Sequence, residues 1–121
     1  MIISISYHYF YGADETFISH QFSVNQTQPR ILYISGYSRA IVPVSDGAPI
    51  YYSIDVDVYY MDGTNTWGVF APFSMGSHGW EKKVVIIEPE KPIQSVGVYF
   101  IFRERTGLVR FAEPVLRMEV D

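Results

Sequence analysis

Ile50-Tyr51-Tyr52-Ser53-Ile54-Asp55-Val56-Asp57-Val58-Tyr59-Tyr60 is the stretch on which the fold of this chain turns. Ile50, Tyr52, Ile54, Val56, Val58 and Tyr60 alternate with Tyr51, Ser53, Asp55, Asp57 and Tyr59. Side chains of a β-strand point to opposite faces in turn, so this strand is expected to turn one face to a core and the other, carboxylates framed by tyrosines, to the outside. Tyrosine beside carboxylates and hydroxyls is ordinary sheet surface. It is also what a protein needs to hold a sugar, whose ring offers apolar C–H patches rimmed by hydroxyls.

The same alternation recurs along the chain. Strands are expected near 2–11, 16–24, 31–40, 50–61, 67–74, 80–88, 93–103 and 107–119. The breaks between them carry turn residues such as Asp46-Gly47-Ala48-Pro49, Asp62-Gly63 and Thr106-Gly107. No stretch has a helical apolar period with caps at both ends. Eight short strands at near-regular spacing predict an all-β fold, an antiparallel β-sandwich of jelly-roll type. In such a roll the fourth and seventh strands lie side by side, in one sheet with the second and fifth. That order would bring Asp55, Asp57, Tyr59, Tyr99 and Arg103 onto one open face.

At 121 residues the chain fits one domain, 1–121, that hides roughly two-thirds of its unfolded surface. Its composition, 48% hydrophobic and 18% charged, is that of a chain with a core rather than a disordered one. Thirteen Asp and Glu against nine Lys and Arg argue against nucleic acid as a partner, since such binding rests on a clustered positive field. No apolar run approaches the ~18 residues of a membrane span, so no membrane partner is expected. Cysteine is absent, which removes disulfides and thiol chemistry. Met1-Ile2-Ile3-Ser4-Ile5 reads straight into a strand without a signal peptide, as in a module excised from a larger chain.

Tyr60-Met61-Asp62-Gly63-Thr64-Asn65-Thr66-Trp67-Gly68, Gly79-Trp80-Glu81-Lys82-Lys83, Pro89 to Tyr99 with Phe102-Arg103, and Gly107-Leu108-Val109-Arg110-Phe111 together resemble the β-jelly-roll carbohydrate-binding modules of the family 4/9 type, galactose-binding-like sandwiches. The likeness covers about half the chain. It implies a non-catalytic module that holds a poly- or oligosaccharide on the open sheet face or the loop rim. It also implies an extracellular or cell-surface setting, with a catalytic domain as a possible partner in the parent chain. Such modules often carry a structural calcium ion, one of whose ligands is an Asp in the closing strand. Here that place reads Ala112-Glu113-Pro114, so calcium would depend on Asp14, Glu15 or Asp121 with backbone carbonyls, and the metal ligands stay unknown.

The candidate ligand-binding residues are Tyr51, Asp55, Asp57, Tyr59, Trp67, Tyr99 and Arg103. Trp67 sits in a polar loop beside Asp62-Gly63, where a large ring can stack on a pyranose or pack under its own loop. Trp80 opens an apolar strand and is expected to pack in the core or at its rim. Asp55 and Asp57 point the same way some 7 Å apart, within the roughly 5 to 10 Å that separates glycosidase carboxylates. Enzymes usually take that pair from different strands in a deep cleft, so no catalytic residues are assigned and no enzyme is expected. Gly36-Tyr37-Ser38-Arg39-Ala40 echoes a nucleophile elbow only by chance, since no helix follows it. His78 is expected to face solvent in a Gly-Ser turn, and Asn25-Gln26-Thr27 is a sequon in a turn. An alternative function fits the same residues: a structural or assembly β-sandwich of a cell-surface, capsid or appendage protein, whose tyrosine face meets protein.

Overall fold

A computed structural model of the chain describes residues 2–4 and 16–119. They form β1 (Ile2–Ser4), β2 (Thr16–Ser23), β3 (Leu32–Val44), a 3-10 turn (Pro49–Tyr51), β4 (Tyr52–Tyr60), β5 (Asn65–Pro72), β6 (Gly76–Ile87), β7 (Ile93–Phe102) and β8 (Leu108–Met118). The rest of the expected first strand, 5–11, lies outside the described residues, as do Asp14, Glu15 and Asp121.

All pairings are antiparallel. One sheet runs β1-β8-β3-β6 and the other β2-β7-β4-β5. This is a jelly-roll sandwich, with β4 and β7 side by side and β2 and β5 flanking them, as the spacing predicts. Between the sheets, Tyr52, Phe100, Phe102, Phe111, Leu32 and Ile34 are fully buried. Phe100 and Phe111 meet at 5.4 Å between ring centroids, joining the two sheets. A Cβ at Gly36 would collide with Phe100 Cζ, so the glycine in the middle of β3 is the recess into which that ring fits.

Two local devices reset the alternation. Pro49 has its φ pre-set for the first turn position, and Tyr51 N–H closes the turn on Ala48 O at 3.0 Å. Ile50 is therefore not on the core side as the alternation predicts: the 3-10 turn rotates it to the outer face. In β8, Glu113 adopts φ 55 where the β3 register slips between Ser35 and Tyr37, an extra residue that bulges out and keeps Phe111 and Leu116 both inward.

One further expectation is narrowed and one corrected. Of the core or rim position expected for Trp80, the core is excluded: it shares its strand phase with Lys82, Val84 and Ile86, while Val85 and Ile87 take the buried positions, and Trp80 is 43% exposed. His78 is not a solvent-facing turn residue. It lies in β6 stacked on Tyr52, and its Nδ1 is 2.8 Å from Gly79 O. That carbonyl can only accept, so Nδ1 carries the proton and Nε2 accepts from Tyr52 O–H at 3.0 Å. Tyr52 in turn accepts from Ser38 Oγ at 2.6 Å. Ser38, fully buried in mid-strand, is thus spoken for and is no exposed nucleophile.

This chain of hydrogen bonds joins β3, β4 and β6 through the core. Tyr52→Phe leaves Ser38 and His78 without their shared partner and is expected to cost about 1–3 kcal/mol. Urea unfolding measures that loss as a lower midpoint at unchanged slope.

Candidate functional site

Register places the site. Asp55 lies opposite Tyr99, Asp57 opposite Gly97 and Tyr59 opposite Ser95 across the β4–β7 ladder. On the other side Asp55 lies opposite Phe70 of β5. Directly opposed residues share a face, and Ile54, Val56, Val58, Val96, Val98 and Phe100 take the buried one. The carboxylates and tyrosines are thereby turned outward together. Arg103 joins them just past β7, where its N–H bonds Tyr51 O at 2.9 Å.

The result is a hollow of ≈ 240 Å³ lined by Ile50, Tyr51, Asp55, Asp57, Tyr99, Ile101 and Arg103. Five of the seven candidate residues meet there. Asp55 is half-buried, with Oδ1 enclosed and without a hydrogen-bond partner. Burial pushes its carboxyl up to about 6, the nearby charge of Asp57 adds to the rise, and the Val56 N–H and Arg103 oppose it. Burial also raises the Tyr99 hydroxyl, helped by Asp57, Tyr59 and Asp55. Asp57 is held differently, accepting from Gly68 N–H at 3.2 Å. Gly68 takes φ +72 at a register shift in β5, a conformation a side chain would strain.

The two remaining candidates form their own corner. Tyr59 and Trp67 meet edge to face, centroids 5.5 Å apart at 87°, and Trp67 is 60% exposed. Trp67 belongs to β5 rather than to a loop. Next to this corner is a second hollow, ≈ 310 Å³, lined by Gln21, Ser23, Asn25, Tyr59, Gln94 and Ser95. The alternation of β2, with Phe22 and Val24 inward, already turned Gln21 and Ser23 outward. Their joining with Gln94 and Ser95 needed the β2–β7 pairing.

Gly97 is the seam between the hollows. A Cβ there would stand 3.1 Å from Tyr99 Cε2 and 3.3 Å from Gln21 Oε1, so its absence lets the tyrosine lie over the sheet. Chemically, the face offers carboxylate acceptors, amides, hydroxyls, one guanidinium and flat aromatic surface. Among the described residues no three His, Asp or Glu side chains converge to hold a metal ion.

Asp55 carries a pH prediction. Its folded pKa is raised above the unfolded value, so the ionised form disfavours the fold. That cost is absent below about pH 4, grows between about 4 and 6 and is complete above about 6. Asp55→Asn is expected to stabilise the domain by about 1 kcal/mol at pH 7, after allowing for solvent screening of a half-exposed group. Melting temperatures of the two proteins should converge at pH 4; an equal gain at both pH values refutes the assignment.

No family model matches the chain, so the likeness to carbohydrate-binding modules rests on the residues quoted above alone. No curated protein matches it by sequence. Among solved structures six chains match. One is described as the structure of infectious bursal disease virus, Gx strain, with 12% identity and a TM-score of 0.44. The match covers 100% of this chain and 32% of that one, so the chain spans about a third of the length of the structure it resembles.

Proposed function

We propose that the domain is a structural or assembly β-sandwich that works by surface contact, its outer sheet faces meeting other protein. The observation that carries this reading is the placement of its exposed apolar groups. Trp67 at 60% and Phe70 at 40% stand on β5, and Trp80, Val84 and Ile86 stand between 41% and 51% exposed on β6. β5 and β6 are edge strands of their sheets and lie against each other, so both sheets end on the same side of the sandwich, and both bring large apolar groups out there. Single exposed hydrophobics need no explanation; a run of them along one side marks a contact surface.

Sedimentation velocity from micromolar to millimolar protein tests the reading. Concentration-dependent association, weakened by Trp67→Ser and Ile86→Ser, is expected, and a monomer throughout counts against it.

A second reading has its own support. The enclosed, unpartnered Asp55 oxygen, with Tyr51, Tyr99 and Arg103 around it and the amide-lined hollow beyond Gly97, suits the hydroxyls and C–H faces of a glycan. In that reading the domain is a non-catalytic carbohydrate-binding module, extracellular or at a cell surface. A glycan array decides it: retention lost on Tyr99→Ala and Asp55→Asn supports it, and no retention on any glycan sinks it. Affinity at so open a site is expected to be modest, since hydroxyls give up water for every bond they make.

A further inference from the structure

Four strands form the edges of the two sheets, β1 and β6 in one, β2 and β5 in the other. β1 and β2 flank residues 5–15 and stand at the ends of their sheets opposite to β6 and β5. β5 is a blunted edge. It carries a register shift against β4, Gly68 at φ +72 and, at its end, Pro72, which has no N–H to give.

β6 is the contrary case. Its ladder with β3 runs without a break from Ile87 opposite Leu32 to Glu81 opposite Ser38, and among the described residues β3 is its one ladder partner. In a regular antiparallel ladder every second residue turns its N–H and C=O away from the partner, so β6 presents a row of such groups along its outer edge. The β5–β6 connection borders the start of that row, where Ser74 donates its N–H and its Oγ to the Glu81 carboxylate at 2.8 and 2.5 Å. Lys82 to Ile87 run on past it.

The side chains of this stretch favour pairing. Val84, Val85, Ile86 and Ile87 are all β-branched; Val85 and Ile87 turn to the core, while Val84 and Ile86 turn outward and are exposed. Lys82 before the run and Glu88 after it share that outward phase and are exposed as well. We infer that β6 pairs with β6 of a second copy, antiparallel about a two-fold axis through Val85, joining two β1-β8-β3-β6 sheets into one continuous sheet. This inference rests on the assembly reading and names both its partner and its surface.

Charge selects the register. Directly opposed residues share a face, their Cβ atoms about 5 Å apart. With the axis at Val85, Lys82 of each copy lies opposite Glu88 of the other and Val84 opposite Ile86. Two ion pairs then flank a cluster of four aliphatic side chains, which Tyr33, opposite Ile86 in β3, borders on both sides. Other axes lose the match. At Lys82 or Lys83 lysine stands directly against lysine; at Val84 Lys82 meets Ile86, and at Ile86 Val84 meets Glu88. Each copy supplies both halves of the contact, so it is isologous and closes at the dimer. Backbone hydrogen bonds supply the attraction, and the side chains fix the register.

Charge reversal at exposed side chains tests the pairing. Lys82→Glu alone and Glu88→Lys alone each put like charges opposite at two places. Each is expected to weaken self-association in sedimentation velocity at least about tenfold at low salt. The double variant Lys82→Glu with Glu88→Lys restores both pairs and is expected to associate like the wild type. So is an equal mixture of the two single variants, as a one-to-one heterodimer. Hydrogen exchange reads the same contact without a variant. Amides at every second residue across 83–87 are expected to gain protection as wild-type concentration rises, and those already bonded to β3 to change little.

Association that neither single variant weakens, weakening that neither the double variant nor the mixture rescues, or a dimer without new protection in β6 overturns the β6 pairing and leaves assembly through another surface standing. A wild type that stays monomeric to millimolar concentration overturns both. Growth into open chains overturns the closed two-fold contact.

Discussion

Arg105→Met is expected to cost about 3 kcal/mol of stability, because a single side chain holds the whole β3–β4 connection. Arg105 is 6% exposed. Its guanidinium donates to Ser45 O at 2.7 Å, Gly47 O at 2.9 Å and Ala48 O at 2.8 Å. A hydrogen bond to a charged group contributes roughly 1.5–3 kcal/mol. Three of them would exceed the expected loss, but Gly47 and Ala48 are exposed enough for water to replace part of what the side chain supplied. Removing the buried cation, whose Nε has no acceptor, offsets a little more. Methionine keeps most of the volume, so the loss reads the hydrogen bonds rather than a cavity.

Arg105→Lys should recover only part of the stability. A single ammonium cannot reproduce a planar fork aimed at three carbonyls. Urea unfolding gives the free energies, and hydrogen exchange at Ser45, whose N–H bonds Thr106 O at 3.0 Å, reports whether the connection opens locally first. Because that connection leads into the 3-10 turn carrying Ile50 and Tyr51, opening it also deforms the Asp55 hollow. A fully stable Arg105→Met protein with unchanged exchange refutes the account.

Phe100→Ala is expected to cost about 3–5 kcal/mol, the range for emptying a buried aromatic site. Phe100 sits on β7 and reaches across the core to Gly36 and Phe111 of the other sheet. The site cannot close by a local shift, since its walls belong to two separately hydrogen-bonded sheets. The reciprocal change, Gly36→Ala, pushes a methyl into the same ring and is expected to cost about 1–3 kcal/mol by overpacking. Combined, the two should cost less than their sum, since the alanine methyl enters space the ring has vacated. A double-mutant cycle measures that coupling, and strict additivity speaks against direct contact.

Much of this architecture is legible in the residues. Strands β2, β4, β5, β7 and β8 fall within two residues of their expected ends, because glycine or proline marks most of the turns between them, although a bulge interrupts the alternation of β8. β3 and β6 run longer than expected. β3 continues to Val44 through register shifts that leave Ile41 and Val42 exposed, and exposed apolar residues at a strand end break the two-faced pattern used to find it. β6 begins four residues early, at Gly76, since Gly-Ser-His-Gly reads locally as turn chemistry while the β3 edge recruits it into a ladder.

The candidate site divides along the same line. Asp55, Asp57, Tyr99 and Arg103 do share one face with Tyr51, as the jelly-roll order requires. The alternation of β2 turns Gln21 outward, but the second hollow, which joins it to Asn25 and Gln94, emerges only from strands paired far apart in sequence. His78 went unrecognised for a similar reason. Its partner Tyr52 is 26 residues away, and nothing local marks a turn histidine as the acceptor of a buried tyrosine.

By itself, then, the sequence determined that the chain makes two-faced strands and, away from the 3-10 turn and the β8 bulge, which side chains lie on which face, since a period of two is a property of each strand alone. The tertiary structure alone decided what those faces do. Pairing across the roll set Arg39 against Arg110 and Asp55 against Tyr99, buried one aspartate oxygen, and left Trp80 partly exposed. Opposition across a ladder, desolvation and exposure are relations between strands, and no single strand contains them.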